Sequence, residues 1–195
     1  MLLTRIVEIS SGERFSDFMD KRIFQPLGMT ATHVDDDSTR VVRHRATGYA
    51  PRTPALLEQA RQVGLQVQEE PGYARLIRNS PHFGGSGVFS TVEDLARWDA
   101  NWYAHRLVGP AFTELMHSRL KFQHPKDNDA FGLVFGDHGG RQALWYEGGD
   151  LDASSYMVRL PAQQLTVICL SNMVTGNAGG QAKRVLGVLE VAGRL

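Results

Sequence analysis

After Asp129 the chain changes period, and that change limits its fold more than any other feature. Four runs follow, AFGLVFG, QALWYEG, SSYMVRLP and LTVICLSN, rich in β-branched and aromatic residues and each the length of one strand. The segments between them are short and hold Gly, Asp and Gln, which suits antiparallel neighbours rather than parallel crossovers. Upstream, the spacing is helical. Leu2, Leu3, Ile6, Val7 and Ile9 fall on a 3.6-residue period and Ser11-Gly12 supplies a stop. No Ser, Thr, Asp or Asn precedes that helix to cap it, which fits equally a frayed terminus and a cut through an element. Ser16 to Ile23 predicts a second helix, capped by Ser16 and ended by Pro26 and Gly28. Ser90-Thr91-Val92-Glu93 matches a capping box ahead of a helix whose Val92, Leu95, Trp98 and Trp102 share a face. A further helix is predicted from Pro110 to His117. A closing one from Gln181 to Val191 should carry Val185, Leu186, Val188 and Leu189 back onto the sheet.

Helices, a four-strand meander and a closing helix make an α+β arrangement: an antiparallel sheet flanked by helices. The 195 residues suffice for one compact domain and show no internal repeat. The expected organisation is a single partial domain. Its parts are a helical segment (1–29), an irregular insertion with a few short strands (30–81), a Gly-rich loop with helices (82–128), and antiparallel strands with a C-terminal helix (129–195).

Composition excludes several classes. At 42% hydrophobic and 22% charged the chain is neither disordered nor a disulfide-dense miniprotein. Lys plus Arg and Asp plus Glu both total 21, so no net positive field favours nucleic acid as a partner. The densest basic stretch, Arg40 to Arg45 (RVVRHR), reads as a solvated strand or loop, with an anion-binding patch as the alternative. The single Cys169 sits inside an apolar run and reads as a buried, inert thiol; it leaves the compartment open. No apolar stretch approaches the ~20 residues of a membrane span. Arg5 and Glu8 interrupt the N-terminus before a signal-peptide core can form.

Three segments together resemble one family. LLTRIVEISSGERFSDFMDKRIFQPLGM is similar to the helix and loop that follow the second catalytic motif of serine β-lactamases, penicillin-binding proteins and related esterases. GGSGVFSTVEDLARW resembles the Gly-rich turn and helix of the class C-like branch, and SSYMVRLPAQQLTVICLSN the paired strands after the third motif. The resemblance implies a β-lactamase/transpeptidase-like fold present only in its C-terminal portion. It also implies hydrolysis of a small amide or ester through an acyl-enzyme in the parent protein, with no cofactor. Members are often periplasmic or extracellular.

That chemistry needs a Ser-x-x-Lys nucleophile, a Tyr-x-Asn-like proton-transfer group and a Lys- or His-x-Gly strand that offers a donor and an oxyanion-hole amide. The only Ser-x-x-Lys here is Ser118-Arg119-Leu120-Lys121, which lies far from where the family places it and reads as a helix end. The first two motifs are expected to lie outside the chain, so no residue is a credible catalyst. The third falls in Trp145 to Asp150. Without gaps Tyr146 takes the cation's place; with one deletion Glu147 does, followed by Gly148. Neither is cationic near neutral pH. Gly149 or Asp150 retains the possible oxyanion-hole amide, and a tight glycine bend between strands explains the glycines as well.

Other patterns compete weakly. Gly84-Gly85-Ser86-Gly87-Val88 approaches a nucleophile elbow but ends in Val, and a hydrolase centred on Ser86 is the third reading. His33 with Asp35, Asp36 and Asp37 offers metal-capable groups without ligand spacing and reads as a solvated acidic loop. His82, His117 and His138 show no partner pattern. The expectation is therefore a hydrolase fragment inactive alone, with a non-catalytic binding or interaction module from the same fold as the alternative. A sheet edge without its neighbour should leave apolar surface exposed and favour self-association, or pairing with a missing N-terminal portion.

Overall fold

The computed structural model describes residues 2–70, 72–78, 84–118 and 129–195. Helix α1 spans Leu2–Ser11. Helix α2 (Phe15–Met19) runs through a π-helical turn (Asp20–Phe24) into α3 (Gln25–Leu27). Pro26, expected to end the second helix, lies within it, just past the π turn where the regular hydrogen-bond ladder is already broken. Gly28 closes the helix at φ 70°, a left-handed position that favours glycine. Ser16 is not the cap. The helix begins after Arg14 without a side-chain cap, and the Ser16 hydroxyl instead donates to Asp36.

The predicted meander forms a five-stranded antiparallel sheet in the order β10-β9-β8-β7-β6. Its strands are β6 (Asp129–Ala130), β7 (Leu133–His138), β8 (Arg141–Asp150), β9 (Ala153–Leu160) and β10 (Leu165–Ser171). Helix α7 (Ala178–Val191) covers one face, where Ala143, Tyr156, Val158, Leu160 and Val167 meet it. The helix presents Ala178, Ala182 and Leu186, a row spaced by four. The valines expected there point elsewhere: Val185 is 44% and Val188 69% exposed. Close approach explains the choice. A Cβ on Gly179 would lie 3.1 Å from the Tyr156 ring, so the first turn of α7 must be small where it meets the sheet.

On the sheet's other face lies α5 (Val92–Ala104), followed by α6 (Pro110–Met116). The capping box is shifted by one residue from the expected start. Thr91, not Ser90, is the N-cap, and its hydroxyl accepts from the Asp94 amide at 3.2 Å. Asp94 is 1% exposed and fastens the helical segment to α5: its Oδ2 accepts from the Ala31 amide and the Thr32 hydroxyl, both at 2.8 Å.

Between Thr30 and Pro81 the short strands are present and better organised than the mixed signals predicted. Two-residue strand β1 (His33–Val34) pairs with β5 (Val88–Phe89). Strands β2 (Gly48–Pro51), β3 (Leu65–Glu70) and β4 (Tyr73–Arg78) form a separate antiparallel sheet in the order β2-β4-β3. Helix α4 (Pro54–Gln62), capped by Thr53, packs on it through Leu57 and Ala60. This unit docks beside β10 through the Tyr49 backbone amide, which donates to the Asn172 carbonyl (2.8 Å), and the Asn172 side-chain Nδ2, which donates to the Thr47 carbonyl (2.7 Å).

Apolar surface is left open in two places. Leu2, Leu3 and Ile9 of α1 are each at least 70% exposed, and Val188 and Val191 of α7 are 69% and 92% exposed. Among the described residues β10 pairs only with β9 and leaves its outer edge unpaired. No described helix is long and apolar enough to cross a membrane.

Candidate active site

A cleft of about 1680 Å³ opens among the Arg40–Ala46 loop, the Gly85–Ser90 segment, α5, α6 and the β8–β9 end of the large sheet. Pockets that hold one small molecule run to roughly 300–1,000 Å³, so this space exceeds such a ligand.

Strand β8 supplies the wall that matters for the third motif. It pairs with β9 along its length to Asp150, but with β7 only from Arg141 to Trp145. Tyr146 to Gly149 therefore run past the end of β7 with no second strand beside them among the described residues, and Tyr146 to Asp150 line the cleft. Unpaired strand edges present amide and carbonyl groups.

Register separates the two candidates for the cation's place. Tyr146 lies opposite Met157 and shares a pleat face with Leu144 and Gly148, whose partners are Arg159 and Ser155. Arg159 reaches Asp99 on α5, so Tyr146 and Gly148 belong to the α5 face. Glu147 lies opposite Tyr156, on the face that α7 covers. Burial, and secondarily the Glu147 charge, push the Tyr156 phenol above its ordinary range. The glycines form no bend. Gly148 and Gly149 lie within the strand, and the turn follows at Leu151-Asp152. At Gly148 a Cβ would come within 2.6 Å of the Ser155 hydroxyl, whereas Gly149 has open space.

Beneath the cleft, Arg159 is 3% exposed and donates from Nε to Asp99 Oδ1 at 2.7 Å. Its guanidinium stands over Trp102, 5.5 Å from the ring centre, and 3.5 Å from His117 Nε2. Burial and the Arg159 charge hold the His117 imidazole below its usual pKa. His117 thus gains a partner that its sequence position did not announce.

The acidic run is solvated only at its end, where Asp37 is exposed. Asp35 is 5% exposed and ion-paired with Arg45 at 3.2 Å, and Asp36 holds Arg14 at 2.6 Å. Asp37 accepts from the Thr39 amide and hydroxyl, which lowers its carboxyl pKa. Arg45 also stacks over Phe89 at 4.2 Å, so part of the basic run is packed rather than solvated. His33 is buried, stacks on Phe89 with 5.6 Å between centres, and its Nε2 has no partner.

Hydroxyls near the cleft are tied to backbone or to each other. Ser118 donates to the Leu115 carbonyl at 2.7 Å, Ser154 to Met173, Ser155 to Gly148, and Ser90 shares a bond with Thr32. Ser86 Oγ is buried without a partner. No Lys, Tyr or His side chain hydrogen-bonds any of these among the described residues; Lys121, His82 and the rest of 119–128 lie outside them. His138 stands 4.0 Å from Glu190, away from the cleft, and burial raises the Cys169 thiol pKa.

The family model described as Beta-lactamase matches residues 1–191. Penicillin-binding protein 4* of Bacillus subtilis (strain 168) is 28% identical over 176 residues, 88% of this chain and 38% of that protein. The octameric penicillin-binding protein homologue from Pyrococcus abyssi superposes with a TM-score of 0.74 at 20% identity, over 96% of this chain and 40% of the other. D-amino acid amidase from Ochrobactrum anthropi SV3, complexed with D-phenylalanine, gives 0.77 at 20% identity, over 98% and 57%. The chain spans 38–57% of these relatives' lengths.

Proposed function

We infer a function from one premise: this chain belongs to the β-lactamase family. It is the C-terminal part of a serine hydrolase that cleaves a small amide or ester through an acyl-enzyme, and it supplies one wall of the active-site cleft. Nucleophile and base come from residues outside the 195, so the chain by itself is inactive in acyl transfer. The observation that carries this reading is the edge of β8 from Tyr146 to Gly149, which has no second strand beside it among the described residues and opens on the cleft. We assign the stabilisation of a developing oxyanion to an amide of Gly149 or Asp150, a task that needs backbone and no particular side chain. Tyr146, on the α5 face, takes the place of the family's cation in this reading and contributes a phenol there. The size of the cleft supports the same reading, since it leaves room for further polypeptide beside a small substrate.

The lack of a cation at Tyr146 or Glu147 favours a second reading, a non-catalytic binding module. Acylation distinguishes the two. A fluorescent penicillin and a fluorophosphonate are offered to this chain and to the protein extended upstream. The hydrolase reading expects label only on the extended protein, at a serine outside these residues. Label on no serine of the extended protein favours the module, and label on any serine of the 195 overturns both.

A further inference from the structure

The small sheet has no task in the hydrolase reading, yet it grips the end of the strand on which that reading depends. Beyond Asp150 the chain turns at Leu151-Asp152 into β9. Leu151 packs against the core of the small sheet and α4. Asp152 lies so close over Gly48, buried in β2, that a Cβ on Gly48 would collide with the Asp152 carboxylate and Cβ. Gly48 is not at a positive φ, so its backbone makes no demand for glycine; the approach of Asp152 does. Just past the turn, the Ser154 hydroxyl donates to the Met173 carbonyl at 3.2 Å, and Met173 forms a parallel bridge with Tyr49 of β2. Gly48, Asp152 and Ser154 all line the cleft.

We propose that the small sheet is a clamp on the β8–β9 turn, and that Gly48 and Leu151 are positioning residues for the amide that meets the oxyanion. The role rests on the hydrolase reading and gives the small sheet a part in catalysis without contact to substrate. Its physical basis is the bare edge of β8. Tyr146 to Gly149 have a single neighbouring strand among the described residues, so the ladder fixes them from one side only. The turn that follows supplies the second constraint, and the small sheet holds that turn through a packed side chain and a close approach. A donor in an active site must keep its place to within about 0.5 Å. A displacement of about 1 Å costs on the order of a hundredfold in rate, even when its cause lies far from the chemistry.

The test places Gly48→Ala in the protein extended upstream, where the added methyl group meets Asp152. Acylation is followed in a single turnover with the fluorescent penicillin or the fluorophosphonate, whichever labels the wild type. The limiting rate should fall about 10- to 100-fold, while the half-saturating probe concentration moves less than about threefold. Hydrogen–deuterium exchange should rise in the peptide 146–151 and stay unchanged in α7 and β10, whereas a general loss of stability raises all three. In an Asp152→Gly background the collision is gone, and Gly48→Ala should then slow acylation less than about threefold. Leu151→Ala loosens the turn without a collision; it should slow acylation in the same way, and it decides the matter where Gly48→Ala does not fold. Gly187→Ala on α7, where a Cβ meets nothing within 4 Å, should change neither readout. The clamp is overturned by an unchanged limiting rate, by a loss confined to the half-saturating concentration, by equal slowing in the Asp152→Gly background, or by exchange that rises everywhere. A wild-type extended protein that takes no label removes the hydrolase reading and this role with it. A labelled wild type whose Gly48 and Leu151 variants react normally removes the clamp alone.

Discussion

Replacing Asp99 with Asn tests how the cleft floor is held. The substitution keeps the shape of the side chain and removes its charge, leaving the Arg159 guanidinium, 3% exposed, without a counter-ion. Breaking a buried ion pair by removing one partner costs about 3–5 kcal/mol. Asp99 itself is 15% exposed, so water reaches its side of the pair, and an Asn oxygen still accepts one bond. Both facts lower the expectation, to about 2–4 kcal/mol. For a chain of this size, each kcal/mol moves Tm by about 2–4 °C, so Asp99→Asn should melt roughly 4–16 °C lower. Urea unfolding gives the free energy directly. A double substitution, Arg159→Met with Asp99→Leu, replaces both charges with apolar groups of similar volume. It should recover most of the loss, because the single variant's cost is the orphaned charge rather than the pair's net worth. His117 provides an independent readout. Arg159→Met removes one of the two influences that depress its pKa, so the imidazole should titrate at higher pH by NMR. A cost under about 0.5 kcal/mol, the range of ordinary surface changes, refutes the argument. So does a double variant as unstable as Asp99→Asn.

Four further outcomes follow from the same structure. Asp94→Ala strands the Ala31 amide and leaves the Thr32 hydroxyl only its bond to Ser90; a loss of about 2–4 kcal/mol is expected by urea unfolding, and the Ala31 amide should exchange faster. Leu186→Ala hollows the contact between α7 and the sheet and should cost about 2–5 kcal/mol, whereas Val188→Ala should stay within roughly 0.5 kcal/mol. His33 and His117 both have pKa values lowered by folding, so the unfolded chain binds more protons and stability falls as pH drops below about 6.5. Urea midpoints at pH 7.5 and 5.5 should show that loss, and His117→Gln should reduce it. Ile9→Lys and Val188→Lys should lower the association of the isolated chain in light scattering, and a wild-type chain that runs as a clean monomer contradicts the exposed-face reasoning.

Strand spacing made the large sheet legible, since period-2 runs joined by short connections leave few alternatives to a meander. Helix ends were less so, because the deciding partners are distant in sequence. Ser16 looks like a cap until Asp36, twenty residues on, takes its hydroxyl. On α7, Val185 and Val188 outrank Ala178 and Ala182 in hydrophobicity, yet the Tyr156 ring admits only small residues at that distance. The small sheet was obscured because Pro51, Pro54 and the acidic end of β3 weaken every local strand signal. Its core of Ala50, Ala74 and Leu76 gains strength only from tertiary contact.

The candidate site divides the same way. Choosing between Tyr146 and Glu147 is a one-residue shift, and a one-residue shift turns a strand residue to the opposite face. Sequence comparison alone left both open. The pairing of β8 with β9 separates them: Met157 opposite Tyr146 belongs to the α5 face, and Tyr156 opposite Glu147 to the α7 face. Glu147 also lines the cleft, so the register assigns the two residues their faces and still leaves the carboxylate within a ligand's reach.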